Sequence, residues 1–256
     1  MKSFAALLIT CFAAMLPAHA LQVVDDRGIA VTFARSPQRI VSVLPSLTEG
    51  VCALEQCHRI VGVDRYSNHP ASVRRLPVVG GGIDPNIEAI VALKPDVVLL
   101  AVSSRASERL ESLGIKVVAL ETKNHADVRR VLKKLGALLE IPDALGADRL
   151  WRVIDASVEA AAQSLPPTAK NIRVYFEVSR GPYAAGESSF IGETLARLGV
   201  KNIIPAALGP FPRINPEFVV RANPDLIMVG SRSMEALAAY PGWASIKAVT
   251  EQRSCV

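Results

Sequence analysis

Four histidines, His19, His58, His69 and His125, are the residues of this chain best suited to ligate a metal or move protons near neutrality. Their spacing supports neither role locally, since the chain has no H-E-x-x-H helix and no C-x-x-C pair. A metal site would need distant side chains to converge with carboxylates, and His69, in a loop, is the one histidine placed for that. Nucleophilic chemistry has no better support, because there is no G-x-S-x-G elbow. Phosphate chemistry lacks its G-x-x-x-x-G-K-[ST] loop. Gly80-Gly81-Gly82 runs into Ile83-Asp84-Pro85 without the later glycine that a dinucleotide turn requires. The residues therefore predict a binding protein with no catalytic group, no resident metal and no cofactor. A chelatase-like or metal-binding protein of similar shape is the alternative from another class.

The elements that would position such a site begin after residue 20. In MKSFAALLITCFAAMLPAHA, Lys2 is a positive start, Phe4 to Leu16 an apolar run too short to span a bilayer, and Ala18-His19-Ala20 a small-x-small cleavage site. The expectation is a signal peptide cleaved after Ala20 and a periplasmic protein. Half of the residues (50%) are hydrophobic and 21% charged, which excludes disorder. The net charge of +5 includes Lys2 and is scattered without a basic block, which argues against a nucleic-acid partner.

Arg39 to Leu44 reads as a buried strand ended by Pro45. Ser46, with Glu49 three residues on, reads as the capping box of a helix. Ile60 to Val63, Val97 to Leu100 and Ile115 to Leu120 are further strands, separated by helices at Ile87–Leu93 and Arg105–Leu113 and followed by one at His125–Leu139. That alternation predicts a parallel sheet in an α/β lobe. Asp143 to Leu165 is one helical pattern of about 23 residues, roughly 34 Å long, bounded by prolines. Beyond it, Ile172–Val178, Phe190–Leu198 and Leu226–Gly230 repeat the strand and helix signals.

The two sides of the long helix carry the same punctuation. Ile83-Asp-Pro-Asn-Ile-Glu88 is followed, seven and eight residues after Glu88, by Pro95-Asp96 and a Val/Leu strand. Ile214-Asn-Pro-Glu217 is followed at the same two distances by Pro224-Asp225 and Leu-Ile-Met-Val. Leu113-Gly-Ile-Lys116 is echoed by Leu198-Gly-Val-Lys201. The prediction is two related α/β lobes joined by one long connector helix, with a ligand cleft between them. The divisions are an N-terminal lobe at 21–140, the connector at 141–168 and a C-terminal lobe at 169–256.

From about residue 38 onward the chain resembles the periplasmic substrate-binding proteins of ABC importers for cobalamin, ferric siderophores and haem, most closely the cobalamin branch. The resemblance rests on Arg39-Ile-Val-Ser-Val-Leu-Pro-Ser-Leu-Thr-Glu49, Val61-Gly-Val-Asp-Arg-Tyr-Ser-Asn-His-Pro70, Glu88-Ala-Ile-Val-Ala-Leu-Lys-Pro-Asp96, Leu113-Gly-Ile-Lys-Val117, Asn215-Pro-Glu217 and Asn223-Pro-Asp225. It implies a monomer that captures a corrinoid, with siderophore or haem second, and delivers it to a permease and ATPase complex. It implies that Glu88 and Glu217, one on each lobe, dock onto arginines of that permease, in keeping with carboxylates in the first turn of a helix. It also implies cleft positions for Pro45, Ser46, Tyr66, Tyr183 and Phe211. The tryptophans that cobalamin binders carry near Gly80-Gly81 and Phe211 are absent.

Arg65, Arg180 and Arg213 fall in candidate cleft loops. Phe176, in a strand, and Trp243 are expected in the core, and Trp151 in packing on the connector. Cys52 and Cys57 are close enough in sequence for a local disulfide, the alternative being two buried thiols. The resemblance further implies a longer C-terminal lobe, by roughly 30 to 40 residues, holding a partner for Cys255.

Overall fold

The computed structural model describes residues 20–230, 237 and 240–255, so the expected export signal lies, apart from Ala20, outside the described residues. The first lobe opens on an antiparallel ribbon, β1 (Leu21–Val24) with β2 (Ala30–Phe33). Four parallel strands follow, β3 (Ile40–Ser42), β4 (Ile60–Val63), β5 (Val97–Leu100) and β6 (Val117–Ala119), in the order β4-β3-β5-β6. Ile40 pairs with Val97 and Val98 with Val117. Strands covered on both faces read as unbroken apolar runs, and β5 is buried at every position.

Alternate side chains of those strands feed two apolar layers. Ile40, Val97 and Leu99 pack with Leu47 and Val51 of α1 (Pro45–Ala53). Val41, Val98 and Leu100 face the other way, towards Ile90 of α2 (Ile87–Ala92) and Leu110 of α3 (Ser107–Ser112). Leu135 and Leu138 of α4 (His125–Leu138) complete the first layer. The triple glycine reads correctly as a loop, and its last member is required sterically: a Cβ on Gly82 would lie 2.8 Å from the Val43 carbonyl oxygen.

The long helix α5 is Ala147–Ser164, 18 residues, shorter at its start than the sequence pattern indicated. Gly146 explains the difference. Its φ of −106° and ψ of −99° are not helical, and a Cβ there would sit 2.8 Å from Ile141 and 3.0 Å from Leu54. The preceding turn is thus pressed against the first lobe, and α5 starts only once it is clear of that contact. Arg197 Nη1 pairs with Asp155 at 2.9 Å, tying the second lobe to this helix.

The second lobe repeats the plan with β7 (Arg173–Ser179), β8 (Tyr183–Ala184), α6 (Phe190–Arg197), β9 (Lys201–Asn202), α7 (Pro216–Ala222), β10 (Leu226–Val229) and β11 (Ser254–Cys255). Its sheet runs β11-β10-β7-β8, with β9 also on β7. Among the described residues of this sheet only β8 is antiparallel to its neighbour. Trp243 is fully buried as expected, edge-on to Tyr175 with ring centroids 5.6 Å apart, and its indole donates to the Pro216 carbonyl at 3.2 Å.

Two expectations need correction. Ser46 does not cap α1: Pro45 occupies the first turn, Leu44 is the N-cap residue, and no side chain caps the helix. Proline tolerates that position because its missing N–H is among those a helix start leaves unpaired. Phe176 is not core. Tyr175, its neighbour on β7, takes the buried side, and strand alternation leaves Phe176 half-buried on the other.

Candidate ligand cleft

Parallel strands put their carboxyl ends on one side of a sheet, where open α/β folds hold ligands. In the first lobe β3 runs out into Leu44-Pro45-Ser46, β5 into Ala101 and Ser103, and β6 into Glu121 and Thr122. With α4 these segments line a cavity of about 610 Å³. In the second lobe Phe176 to Val178 and Val229-Gly230, at the ends of β7 and β10, line a cavity of about 540 Å³ with Ile191 and Phe211.

Phe190 lines both cavities and is the residue they share. The first residue of α6, it meets Phe211 edge to face with centroids 6.0 Å apart. Its N–H donates to the Lys123 carbonyl across the lobes at 2.7 Å. Beside it Glu193 Oε2 accepts from the His125 N–H at 2.7 Å, and Thr194 Oγ1 lies 2.9 Å from the His125 ring. Trp151 closes this junction, edge-on to His125 at 6.0 Å. Sequence reasoning read Phe190 only as a helix start. Its signal was Ser189, an N-cap placing the next residue at the carboxyl edge of the sheet, as Pro45 and Ser46 are placed.

Of the residues named from the sequence, Pro45 and Ser46 fall on the first cavity wall and Phe211 on the second. Tyr66 and Tyr183 line neither. Tyr66 stands 57% exposed on the loop that follows β4, and Tyr183 41% exposed at the start of β8. Arg65, Arg180 and Arg213 also line neither cavity, and Arg213 Nε donates to the Gly181 carbonyl at 3.1 Å. Among the described residues the two cavities contain no Lys or Arg, while Glu49 and Glu121 line the first and Glu177 the second. Burial, then the nearby Glu177 carboxylate, pushes the Tyr175 phenol well above its usual range.

Behind the rim of the first lobe lies a buried polar string. Thr48, on α1, donates from Oγ1 to Ser42 Oγ at 2.8 Å and lies 3.0 Å from Ser67 Oγ. Ser67 donates to the Asp64 carboxylate, whose other oxygen accepts from the Tyr66 N–H at 2.9 Å. All four of Ser42, Thr48, Asp64 and Ser67 are at most 7% exposed.

Glu88 and Glu217 occupy equivalent places, each exposed in the first turn of a short helix, α2 and α7. Asn86 caps α2, accepting from Ala89 N–H at 2.8 Å, and Asn215 caps α7, accepting from Glu217 N–H at 2.9 Å. Cys52 and Cys57 are joined by a disulfide with Cα atoms 4.1 Å apart, and Cys255 is an exposed free thiol. Among the described residues no three His, Cys, Asp or Glu side chains converge to hold a metal.

Known proteins place this architecture. The family model described as "Periplasmic binding protein" matches residues 40–254. The uncharacterised ABC transporter substrate-binding lipoprotein YvrC of Bacillus subtilis is 29% identical over 90% of this chain and 75% of its own. A cobalamin-binding protein of Halobacterium salinarum is 28% identical over 80% of this chain but only 57% of its own, so the chain spans little more than half of that relative. Among solved structures, a periplasmic heme-binding protein from Pseudomonas aeruginosa superposes with a TM-score of 0.70 at 27% identity, covering 83% of this chain and 81% of that one. The two-lobed fold, the connector helix and this match over most of the chain lead to one conclusion: the chain belongs to the periplasmic binding protein family, whose members bind and deliver solutes outside the cytoplasm and do not transform them.

Proposed function

We propose that the protein is the solute-binding component of an ABC importer for a small metal chelate, and that the chelate is a corrinoid such as cobalamin. The observation that carries the choice is the lining of the cleft: aromatic and aliphatic walls around Phe190 and Phe211, three glutamates, and no cation among the described residues. A corrinoid offers a broad apolar face and arms that end in neutral amides, which donate to carboxylates. A chelate bearing several carboxylates would meet Glu49 with like charge and no guanidinium on the wall, while Glu121 is partly offset by Lys123 Nζ at 3.5 Å. The cobalamin-binding relative supports the same choice. Haem is the second reading, favoured by the likeness to the Pseudomonas heme binder.

Glu88 and Glu217 supply the delivery step. Exposed carboxylates on separate lobes form a two-point key for a basic membrane partner, and such rim charges set encounter and orientation more than affinity. Calorimetric titration with cyanocobalamin, cobinamide, haemin and ferric siderophores tests the solute. Saturable binding of corrinoids alone supports the proposal, and binding of haemin alone replaces it with the second reading.

A further inference from the structure

Tyr66 is the most exposed aromatic on the rim of the first lobe, and the structure behind it is polar, buried and continuous. Buried hydroxyls and carboxylates are costly to desolvate, and they persist where their hydrogen bonds fix a geometry. Here the bonds run from β3 through Thr48 of α1 to the turn 64–67, which presents Tyr66. The Asp64 carboxylate holds both sides of that turn, taking the Ser67 hydroxyl on one oxygen and the Tyr66 N–H on the other. Asp64 N–H donates to the Ser42 carbonyl at 3.1 Å and Arg65 N–H to the Gly80 carbonyl at 2.8 Å, so the turn is tied to its neighbours as well. The same α1 carries Ser46 and Glu49 on the cavity wall.

We propose that Thr48 is a positioning residue for solute binding: through Ser67 and Asp64 it fixes the turn that presents Tyr66, and so couples the rim tyrosine to the cavity wall carried by α1. Thr48 is fully buried and lines neither cavity, so it acts through others and not by contact. This rests on the cleft being the solute site and on Tyr66, exposed just beyond the carboxyl end of β4 and outside both cavity linings, meeting the solute at the rim, and it adds a specific chain of hydrogen bonds to that reading. An ordered rim lowers the entropy lost when a ligand is gripped, which is the advantage the string confers.

The test compares Thr48→Val, which keeps the shape and removes the hydroxyl, with Thr48→Ser, which restores it, and uses Ser67→Ala as a second break. Hydrogen exchange on the ligand-free protein reads the Tyr66 and Ser67 amides directly. Thr48→Val and Ser67→Ala should each speed their exchange about tenfold or more, and Thr48→Ser should return it to within about threefold of the wild type. Unchanged exchange in both broken variants overturns the proposal whether or not any solute binds. The second readout is the Kd for cyanocobalamin in a double-mutant cycle with Tyr66→Ala. Thr48→Val should weaken binding about five- to tenfold alone and have almost no further effect once Tyr66 is removed. Fully additive losses would mean that Thr48 supports the fold and not the tyrosine. Absence of cyanocobalamin binding in the wild type would refute the corrinoid reading and leave the exchange result to decide the role of Thr48.

Discussion

Asp96 and Asp225 make matching contacts in the two lobes. Asp96 Oδ2 accepts from the Arg39 N–H at 2.9 Å, and Asp225 Oδ2 accepts from the Arg173 N–H at 2.9 Å. Their own N–H groups donate back to the Arg39 and Arg173 carbonyls, each at 2.8 Å. Each aspartate thus clamps the start of one parallel strand to the start of its neighbour, β5 to β3 and β10 to β7. The repeated Pro-Asp seen in the sequence is this clamp, used twice. Replacing either aspartate by alanine should cost about 1 kcal/mol, because backbone donors lose a charged acceptor at a partly solvated edge. Urea unfolding should show the loss, with exchange rising at the Arg39 or Arg173 amide of the affected lobe only.

The disulfide should contribute about 2 kcal/mol on a chain-entropy basis, since it closes a short loop. Cys52→Ser with Cys57→Ser should shift the urea midpoint down accordingly while leaving solute affinity within about twofold, because neither cysteine lines the cleft. Intact mass with and without reductant should differ by the two hydrogens of one bridge, Cys255 remaining free.

The fold was legible because its signals are local. Apolar runs such as Val97–Leu100, prolines at helix starts and the Pro-Asp clamps each act within a few residues. Phe190 and Phe176 were less legible. Phe176 looks like core by composition, and only the alternation of β7 about Tyr175 turns it towards the cleft. Phe190 acquires its place through a hydrogen bond from its N–H to Lys123 in the other lobe, a pairing that no spacing rule encodes. The start of α5 failed for a similar reason: Gly146 yields to a tertiary contact with Leu54 and Ile141, while the helical pattern runs through it unbroken.

Acid should unfold the first lobe through a definable group. Burial raises the Asp26 carboxyl, but hydrogen bonds from Lys134, the Glu121 N–H and Arg130 outweigh it and hold the group below its ordinary value of 3.8. A depressed carboxyl stabilises the fold above its unfolded pKa, and that contribution is lost as pH falls through the folded value. Stability should therefore be nearly flat from neutrality to about pH 5 and fall below about pH 4. Asp26→Asn should destabilise the protein by roughly 1–2 kcal/mol at pH 7 and by progressively less as pH falls below about 4, read by urea unfolding across that range.

Reversing both charges proposed for docking, Glu88→Arg with Glu217→Arg, should abolish uptake through the cognate permease while leaving solute Kd within about twofold, since both glutamates lie outside the cavity linings. Single reversals should give intermediate loss. A large fall in solute affinity would instead place these residues in the binding site.

The central claim, that the cleft walled on both sides of Phe190 captures a corrinoid, is tested most directly by calorimetric titration of the protein and of its Phe190→Ala variant with cyanocobalamin. The account predicts one-to-one binding with a micromolar or tighter Kd, weakened about 10- to 100-fold when the aromatic face is removed. No binding of cyanocobalamin, or binding that Phe190→Ala leaves unchanged, would contradict it.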